Sequence, residues 1–396
     1  MPTSILVAGT QLEQIQAAFS GLDSPYICVV CASPLTAEEH LHKTPALVLL
    51  QVDAVWAQDL QWCAFARSCE QSGIPTILFN QQGCSGEQMR QTFPWCEGVM
   101  KMPPTAETLS DYLNVHLHCH ELKQQLELAQ GRLFEKNLEL DEGLRSAAHI
   151  QKTLMPSEFP DLPQLHFASR FIPCETVGGD IFNVLRLDEQ TVMVYMLDVS
   201  GHGVSAAMVT VSIFQALSLH TGQILKHALK VPPFYQITSP AEVLRRLDNE
   251  YPIERFDKFF TISYFLINPH TGEIRYASAA HPPAVVVRAD GELQHLDAEG
   301  TIIGLGGIVP YEEEQVVLSS GDRLFLCTDG VIEHENNAAE LFGQQRFDTV
   351  LREQRQQPLD EHCQSVIDAI REFGGAASFR DDVTLLGLSF GVDNTH

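Results

Sequence analysis

The pattern of hydrophobic and polar positions divides the 396-residue chain into three stretches. Over residues 1–104, segments of helical period alternate with short apolar runs, namely "SILVAG", "YICVVCA", "ALVLLQV", "PTILFN" and "GVMKMP". Because strands that alternate with helices form parallel sheets covered on both faces, this stretch predicts a doubly wound α/β domain. Two valines separate Cys28 from Cys31 in one run, which favours a buried strand over a zinc site.

A seven-residue period marks the second stretch, residues 105–156. Its apolar positions are Tyr112, Cys119, Leu126, Leu133, Leu140, Ala147 and Leu154, with Val115, Leu122, Ala129 and Ile150 at the intervening d positions. A helix over residues 112–154 would be about 65 Å long at about 1.5 Å per residue, more than one small domain can cover. We therefore predict a parallel dimeric coiled coil in preference to a helix packed on its neighbours. Lys136 and Gly143 interrupt the second row and predict a weak or bendable segment.

Two features lie within or just after this helix. His116 and His120 are one turn apart, a spacing that suits a metal pair, although an exposed helix face is the favoured interpretation. Pro156 and Pro160 predict the helix end and the boundary of a third region, residues 157–396.

Strand-like runs return in the third region, and four motifs at their ends carry aspartates. These residues are Asp180, Asp198, Asp329, Asp381 and Asp382. Strand ends are where a buried sheet meets solvent or a cleft, so we expect these side chains to converge. A single such aspartate would more often be a turn or cap residue. Four motifs together favour a site for hard divalent cations, because clustered carboxylates repel one another and all the ligands are oxygen.

Composition narrows the range of partners. Acidic residues outnumber basic ones 51 to 25, giving a formal charge of −26, which argues against unaided binding to nucleic acid or anionic membranes. No apolar run reaches the ~18 residues of a membrane span, and the amino end lacks a secretion signal, so we expect a soluble, cytoplasmic protein. The ten scattered cysteines then predict free thiols.

The first region, with "PALVLLQV" and "GVMKMPP", resembles the receiver domain of bacterial response regulators. That family accepts phosphate on an aspartate at the end of the third strand, where this chain has Gln51, and an amide cannot form an acyl phosphate. Near the family's paired acids this chain has only Glu13. The resemblance implies a pseudo-receiver that is insensitive to ordinary aspartyl phosphorylation, with Lys101 at the family's lysine. The lesser alternative is that Asp53, two residues after Gln51, acts as a substitute acceptor.

Five motifs of the third region resemble the metal-dependent protein serine/threonine phosphatases of type 2C, in their bacterial branch typified by SpoIIE. They are "VGGD", "DVSGHGVSAAM", "SAAHPPAVV", "TDGVIE" and "RDDVTLL", in the family's order and spacing. The resemblance implies an α+β fold, a β-sandwich flanked by helices, with two Mn²⁺ or Mg²⁺ ions at one end.

The resemblance also implies roles for individual residues. Asp198 would bridge both metal ions, and the Val199 carbonyl would assist one of them. Asp180 would bind metal directly or through water, while Asp329 and Asp381 would complete the second site.

Other positions of the motifs have a supporting or open role, or differ from the residue that relatives carry. Asp382, at a place where relatives often carry asparagine, would support the metal site. His202 would protonate the leaving serine oxygen, hydrogen-bond the phosphate or only shape the turn. Asn183 stands where relatives often have aspartate, and Ala280 replaces the glycine usual before the motif histidine, here His281.

The resemblance implies a phosphatase that uses a metal-activated water to hydrolyse phosphoserine or phosphothreonine on a regulatory protein, an anti-sigma-factor antagonist. The pseudo-receiver would control it through the helical linker, and residues 112–154 would form a homodimer. The alternative is a non-catalytic adaptor that only binds a client protein. Asn183 leaves that alternative open, although the aspartates whose loss would mark an adaptor are all present, namely Asp180, Asp198, Asp329 and Asp381.

Overall fold

A computed structural model describes residues 3–22, 26–52, 59–80, 85–102, 104–219, 224–229 and 234–391. The chain separates into two compact units, an amino-terminal unit of residues 1–137 and a carboxy-terminal unit of residues 138–396. Among the described residues, no helix combines the length and apolar character that a membrane crossing requires.

The amino-terminal unit contains the five predicted strands. They are β1 (Thr3–Ala8), β2 (Tyr26–Cys31), β3 (Leu47–Gln51), β4 (Thr76–Asn80) and β5 (Gly98–Lys101). The helices are α1 (Glu13–Ser20), α2 (Pro34–Leu41), α3 (Leu60–Ser72), α4 (Gly86–Thr92) and the first part of α5 (Ala106–Leu154). All strand pairs are parallel, in the order β2-β1-β3-β4-β5, which is a common order of doubly wound sheets.

Alternate residues of the central strands enter two cores, one on each face of this sheet. Leu6 and Val48 lie in one core, whereas Ile5 and Leu47 lie in the other. The predicted double covering is therefore confirmed. The buried strand expected around the cysteines is only half-buried, because β2 is at the edge of the sheet; Cys31 is buried, Cys28 is partly exposed, and both are free thiols.

Helix α5 is continuous over 49 residues, and Gly143 does not break it. It ends at Leu154, just before the proline that predicted its end. Many of its large apolar side chains are exposed, namely Val115, Leu122, Leu126, Leu128, Leu133, Phe134, Leu138, Leu140 and Ile150.

The two helix histidines have separate environments. The His116 ring packs against the Tyr112 ring, with 4.6 Å between centroids and 45° between the ring planes, and closely approaches Gly98. His120 Nε2 lies 3.0 Å from the side-chain amide of Gln124. Within the described part of the chain, the pair belongs to no group of three His, Cys, Asp or Glu side chains that could hold a metal ion.

The described residues of the carboxy-terminal unit contain twelve further strands and six helices after α5. The strands are β6 (Leu165–Ile172), β7 (Ile181–Arg186), β8 (Val192–Val199), β9 (Lys226–Ala228), β10 (Tyr235–Ile237), β11 (Phe260–Ile267), β12 (Glu273–Ala279), β13 (Ala284–Val287), β14 (Leu293–Leu296), β15 (Glu314–Val317), β16 (Arg323–Cys327) and β17 (Val383–Phe390). The helices are α6 (Val204–Ala216), α7 (Pro240–Glu250), α8 (Ile253–Phe256), α9 (Asp329–Ile332), α10 (Gly343–Glu353) and α11 (Leu359–Gly374).

Two antiparallel five-stranded sheets, β15-β12-β11-β8-β7 and β14-β13-β16-β17-β6, form a sandwich. Their facing side chains share one core, to which Ile262 and Val286 contribute from opposite sheets. The neighbouring Val285 points the other way, into a core that α10 and α11 close. Apolar faces of α6 and α7 pack against the first sheet. The sandwich flanked by helices is the arrangement that the sequence predicts.

Candidate metal centre

Strand pairing brings the predicted aspartates of the carboxy-terminal unit to one end of the sandwich. Asp198 is the penultimate residue of β8, and Asp180 immediately precedes β7, its antiparallel neighbour. In the second sheet, β16 ends at Cys327 just before Asp329, while β17 begins just after Asp382. Because β16 and β17 are antiparallel neighbours, the end of one meets the start of the other.

These carboxylates raise one another's pKa values. Burial, followed by the nearby Asp329 and Asp381, raises the pKa of Asp198 to about 7. Burial and Asp198 raise the pKa of Asp180 well above its usual range. Burial and Asp381 raise the pKa of Asp329 to about 6. The site thus concentrates negative charge from both sheets.

The composition of the cluster fits a hard divalent cation. Within the described residues, no three His, Cys, Asp or Glu side chains already form a closed ligand set. A bound cation would nonetheless offset both the burial and the repulsion that raise these pKa values, and carboxylate and carbonyl oxygens are the donors that Mg²⁺ and Mn²⁺ prefer. The groups that could hold such ions are Asp180, Asp198, Asp329, Asp381 and the Val199 carbonyl.

Asp382 has a different set of partners, which are main-chain N–H groups together with the Cys174 side chain. Its Oδ1 accepts a hydrogen bond from Cys174 N at 2.9 Å, and its Oδ2 accepts from Gly179 N at 2.8 Å and Asp180 N at 3.4 Å. A Cβ at Gly178 would lie 2.0 Å from Oδ2, so this approach requires glycine. The supporting role predicted for Asp382 is therefore, in the structure, an anchor for the loop that carries Asp180.

Two threonines that sequence reasoning missed orient Asp180, which is 1% exposed. The hydroxyls of Thr328 and Thr384 donate to its Oδ2 at 2.7 and 2.5 Å. Both threonines adjoin the aspartate motifs "TDG" and "DDVT", a proximity that is the only sequence signal for them.

Gln151, near the end of α5, was also missed. Its side-chain amide donates to Gly178 O at 2.7 Å, and its carbonyl oxygen accepts from Gly178 N at 3.1 Å. On the next residue, Gly179 O accepts from the Thr210 hydroxyl of α6 at 2.8 Å. The "VGGD" loop is therefore fixed by α5, α6 and the start of β17.

His202 lies on an exposed turn beside the cluster. Its Nδ1 is 2.9 Å from Glu175 Oε1, and its side chain is 68% exposed. The flanking Gly201 and Gly203 have φ angles of 78° and 79°, which explains the need for glycine at both places.

The departures from the family motifs have separate structural settings. Asn183 lies within β7 opposite Tyr195, and its Oδ1 accepts from Val184 N at 2.8 Å. Ala280 has a φ of 53°, the left-handed conformation that glycine adopts more easily.

His281 follows in the buried end of the "SAAHPP" motif. Its Nδ1 is 2.8 Å from the Thr261 hydroxyl, and Thr261 is the cross-strand partner of Asp198. Burial lowers the pKa of His281 to about 3, so this imidazole is neutral near pH 7.

In the amino-terminal unit, Gln51 ends β3 and is 1% exposed. Its Oε1 accepts hydrogen bonds from Thr10 N at 2.9 Å and Gln11 N at 2.8 Å. A Cβ at Gly9 would lie 2.4 Å from Gln51 Cβ, so the loop after β1 closes tightly over this side chain. Lys101 ends β5, while the substitute acceptor Asp53 lies outside the described residues.

Comparisons with known proteins identify relatives of the carboxy-terminal unit. A sequence model described as Stage II sporulation protein E (SpoIIE) matches residues 188–391. The chain is 27% identical over 198 residues to phosphoserine phosphatase RsbU of Bacillus subtilis, covering 49% of this chain and 55% of RsbU. It is 27% identical over 195 residues to phosphoserine phosphatase RsbP of the same organism, covering 48% of this chain and 45% of RsbP. The chain thus spans about half the length of these curated relatives.

A solved structure shows the same fold. The SiaA-PP2C domain of Pseudomonas aeruginosa aligns with a TM-score of 0.53 and 21% identity, covering 64% of this chain and 98% of that chain. The sandwich and its flanking helices are therefore a PP2C fold.

Proposed function

Because the chain belongs to the SpoIIE family, we propose that it is a metal-dependent protein phosphatase that hydrolyses phosphoserine or phosphothreonine on a regulatory partner protein. The observation that carries this proposal is the convergence of aspartates from both sheets, with raised pKa values, at one end of a PP2C fold. Two bound Mn²⁺ or Mg²⁺ ions would supply the positive charge that stabilises phosphoryl transfer to water.

The proposed ligands divide between the two sheets. Asp198 would hold both ions, with the Val199 carbonyl and Asp180 beside it. Asp329 and Asp381 would complete the site from the second sheet. The support for this division is that each sheet presents its residues from a strand end, where the backbone is fixed by pairing.

His202 is the proposed proton donor. Its Nδ1 side faces Glu175, so the opposite Nε2 can donate to the serine oxygen that leaves. Glu175 would orient the imidazole, as a carboxylate beside a catalytic histidine does.

The proposed substrate is an anti-sigma-factor antagonist phosphorylated on serine. The support is that RsbU and RsbP are named phosphoserine phosphatases. A protein substrate also suits the exposed setting of His202, which a bulky partner can reach.

A phosphate-release assay with purified protein, Mn²⁺ and such phosphoproteins tests the proposal. We expect Asp198→Asn to lower turnover by at least about 100-fold, because it removes the residue proposed to hold both ions. The exposed Asp297→Asn is the matched control and should retain full activity. Phosphoproteins left untouched by the wild-type chain would refute the proposal, and client regulation that survives Asp198→Asn in cells would support the adaptor instead.

We further propose that the amino-terminal unit is a pseudo-receiver that regulates the phosphatase through α5. The support is the strand order of the sheet, the closed setting of Gln51, and the two hydrogen bonds between Gln151 and Gly178. Gln151→Met keeps the side-chain length and removes both bonds. We expect it to change basal phosphatase activity without changing the affinity for the phosphoprotein.

The exposed apolar row of α5 supports a homodimer through residues 112–154. Light scattering at micromolar concentration should give the dimer mass, and Leu133→Lys should give the monomer. Glu135→Gln, an exposed change on the same helix that also alters the charge by one positive unit, is the charge-matched control. A wild-type monomer that Leu133→Lys leaves unchanged would refute the dimer.

A further inference from the structure

Ser200 follows the expected metal ligand Val199 and is held by two consecutive residues. Its N–H donates to Phe259 O at 2.9 Å, and its Oγ accepts from Phe259 N at 3.2 Å. Its carbonyl accepts from Lys258 Nζ at 2.9 Å. Every polar group of Ser200 is thus bound by the dipeptide Lys258–Phe259, which immediately precedes β11.

These bonds fix the direction of the Val199 carbonyl. A trans peptide is planar, so the Val199 carbonyl points away from the Ser200 N–H of the same peptide group. Since that N–H points to Phe259, the carbonyl points to the opposite side. There it approaches Gly179, where a Cβ would lie 2.6 Å from the Val199 oxygen and 3.2 Å from Asp198 Oδ1. The Val199 carbonyl oxygen and Asp198 Oδ1 therefore both lie next to Gly179.

Lys258 spans the next peptide group of the same turn. Besides its bond to Ser200, its Nζ lies 3.0 Å from the position that a Cβ on Gly201 would take. Gly201 has a φ of 78°, a conformation that leaves this side of the turn open to the ammonium group. The lysine therefore holds the carbonyl that precedes the turn carrying His202.

We propose that Lys258 is a positioning residue for the metal centre: by holding the Ser200 carbonyl it fixes the peptide group after Ser200, and together with the Phe259 main chain, which fixes the peptide group before it, keeps the Val199 carbonyl aimed at the metal. The identity of the centre rests on the proposed function. The competing possibility, in which Lys258 binds the substrate phosphate directly, is separated by the kinetic test below.

Metal affinity is the first measurement. Calorimetric titration of Lys258→Met with Mn²⁺ should give a Kd about 10- to 100-fold weaker than wild type, as for other residues that orient metal ligands. Lys226→Met is the matched control, because Lys226 Nζ also donates to a main-chain carbonyl, that of Leu187, at 2.7 Å. It should leave the Kd unchanged, and Lys258→Arg, which keeps a charged donor, should recover most of the loss. Wild-type affinity in Lys258→Met would overturn the proposal.

Hydrogen exchange in the metal-free protein is the second measurement, and it does not depend on catalysis. Amides of residues 199–203 should exchange about tenfold faster in Lys258→Met, since the turn opens locally, but not in Lys226→Met. Unchanged exchange would overturn the proposal even if the protein proves to be a phosphatase. Faster exchange in a chain that binds no Mn²⁺ would refute the proposed function and leave the positioning of the turn established.

Kinetics with a phosphoprotein give the third measurement. A positioning role predicts a lower kcat at subsaturating Mn²⁺, partial recovery at high Mn²⁺, and an unchanged KM. A raised KM with unchanged Mn²⁺ affinity would instead assign Lys258 to the substrate phosphate and overturn the proposal.

Discussion

Gln51 and Asp198 occupy comparable places, each at the end of a strand, in different units of the molecule. Both lie beside a glycine whose missing side chain makes room for them, Gly9 for Gln51 and Gly179 for Asp198. The neutral carboxamide of Gln51 receives two main-chain N–H groups. Asp198 instead lies among other carboxylates that, after burial itself, raise its pKa to about 7.

The difference shows two ways in which a buried polar side chain at a strand end can find its partners. At Gln51 the chain supplies the partners of a buried polar group, which leaves the site with no excess charge. At Asp198 the chain supplies more negative charge, which a cation from solution would compensate. Sites of the second kind are the ones to search for ligands.

Among the variants that test this comparison, Asp198→Asn in the metal-free protein should change the free energy of unfolding most. The folded pKa of Asp198 is about 7, above the usual value of about 3.9, so the folded chain binds this proton more tightly. Its contribution to stability is present below about pH 4 and is lost as the pH rises through 7. The change in the free energy of unfolding caused by Asp198→Asn should therefore be more favourable at pH 8 than at pH 4, by about 2 to 4 kcal/mol.

Urea denaturation with a chelator, followed by circular dichroism at both pH values, measures this difference. Contributions of buried histidines such as His281 cancel between wild type and variant. Added Mn²⁺ should stabilise the wild type at pH 8 far more than the variant. If the wild type and Asp198→Asn differ by the same free energy of unfolding at both pH values, the charge of Asp198 does not destabilise the folded chain.

Gln51→Ala should destabilise the amino-terminal unit by about 2 kcal/mol, because it removes the acceptor of two N–H groups in a closed loop. The three tryptophans, at positions 56, 62 and 95, all belong to this unit, so their fluorescence follows its unfolding alone. Exposed Gln71→Ala, in α3, is the control, with an expected change within about 0.5 kcal/mol. Equal losses of stability in the two variants would mean that the two N–H groups bound to Gln51 do not stabilise this unit, and the contrast with Asp198 would fail.

Ala280→Gly should give the smallest effect, a stabilisation of about 1 kcal/mol, because the φ of 53° disfavours a Cβ. Thermal unfolding of the carboxy-terminal unit, with a chelator present, measures it. Ala369→Gly, inside α11, should instead destabilise by about 1 kcal/mol. A loss of stability in both variants would show that the backbone beside His281 is unstrained.

Much of the fold could be predicted from the sequence because its signals are local. The five apolar runs gave the parallel strands of the first unit, and prolines gave the end of α5. The convergence of Asp180 and Asp198 was predictable because strand ends share the edge of a sheet. The edge position of β2 was not, since strand order depends on pairings between distant segments.

The parts of the site that could not be predicted are bonds from side chains to distant main-chain groups. Lys258 meets Ser200 across 58 residues and Asp382 meets Gly179 across 203. The local sequence around a lysine before a strand, or around a second aspartate in a motif, does not predict which main-chain group the side chain will bind. The partners of Gln51 were hidden for the same reason, although its position was predicted.

The contact between Gln151 and Gly178 makes the "VGGD" loop sensitive to the angular setting of α5. Each residue of a helix advances it by about 1.5 Å and turns it by about 100°, at 3.6 residues per turn. A slip of one residue would therefore carry the Gln151 amide to another face of the helix, out of reach of both main-chain groups of Gly178. The hydrogen bonds that hold the loop carrying Asp180 therefore depend on the rotation of α5 about its axis as well as on its position along that axis.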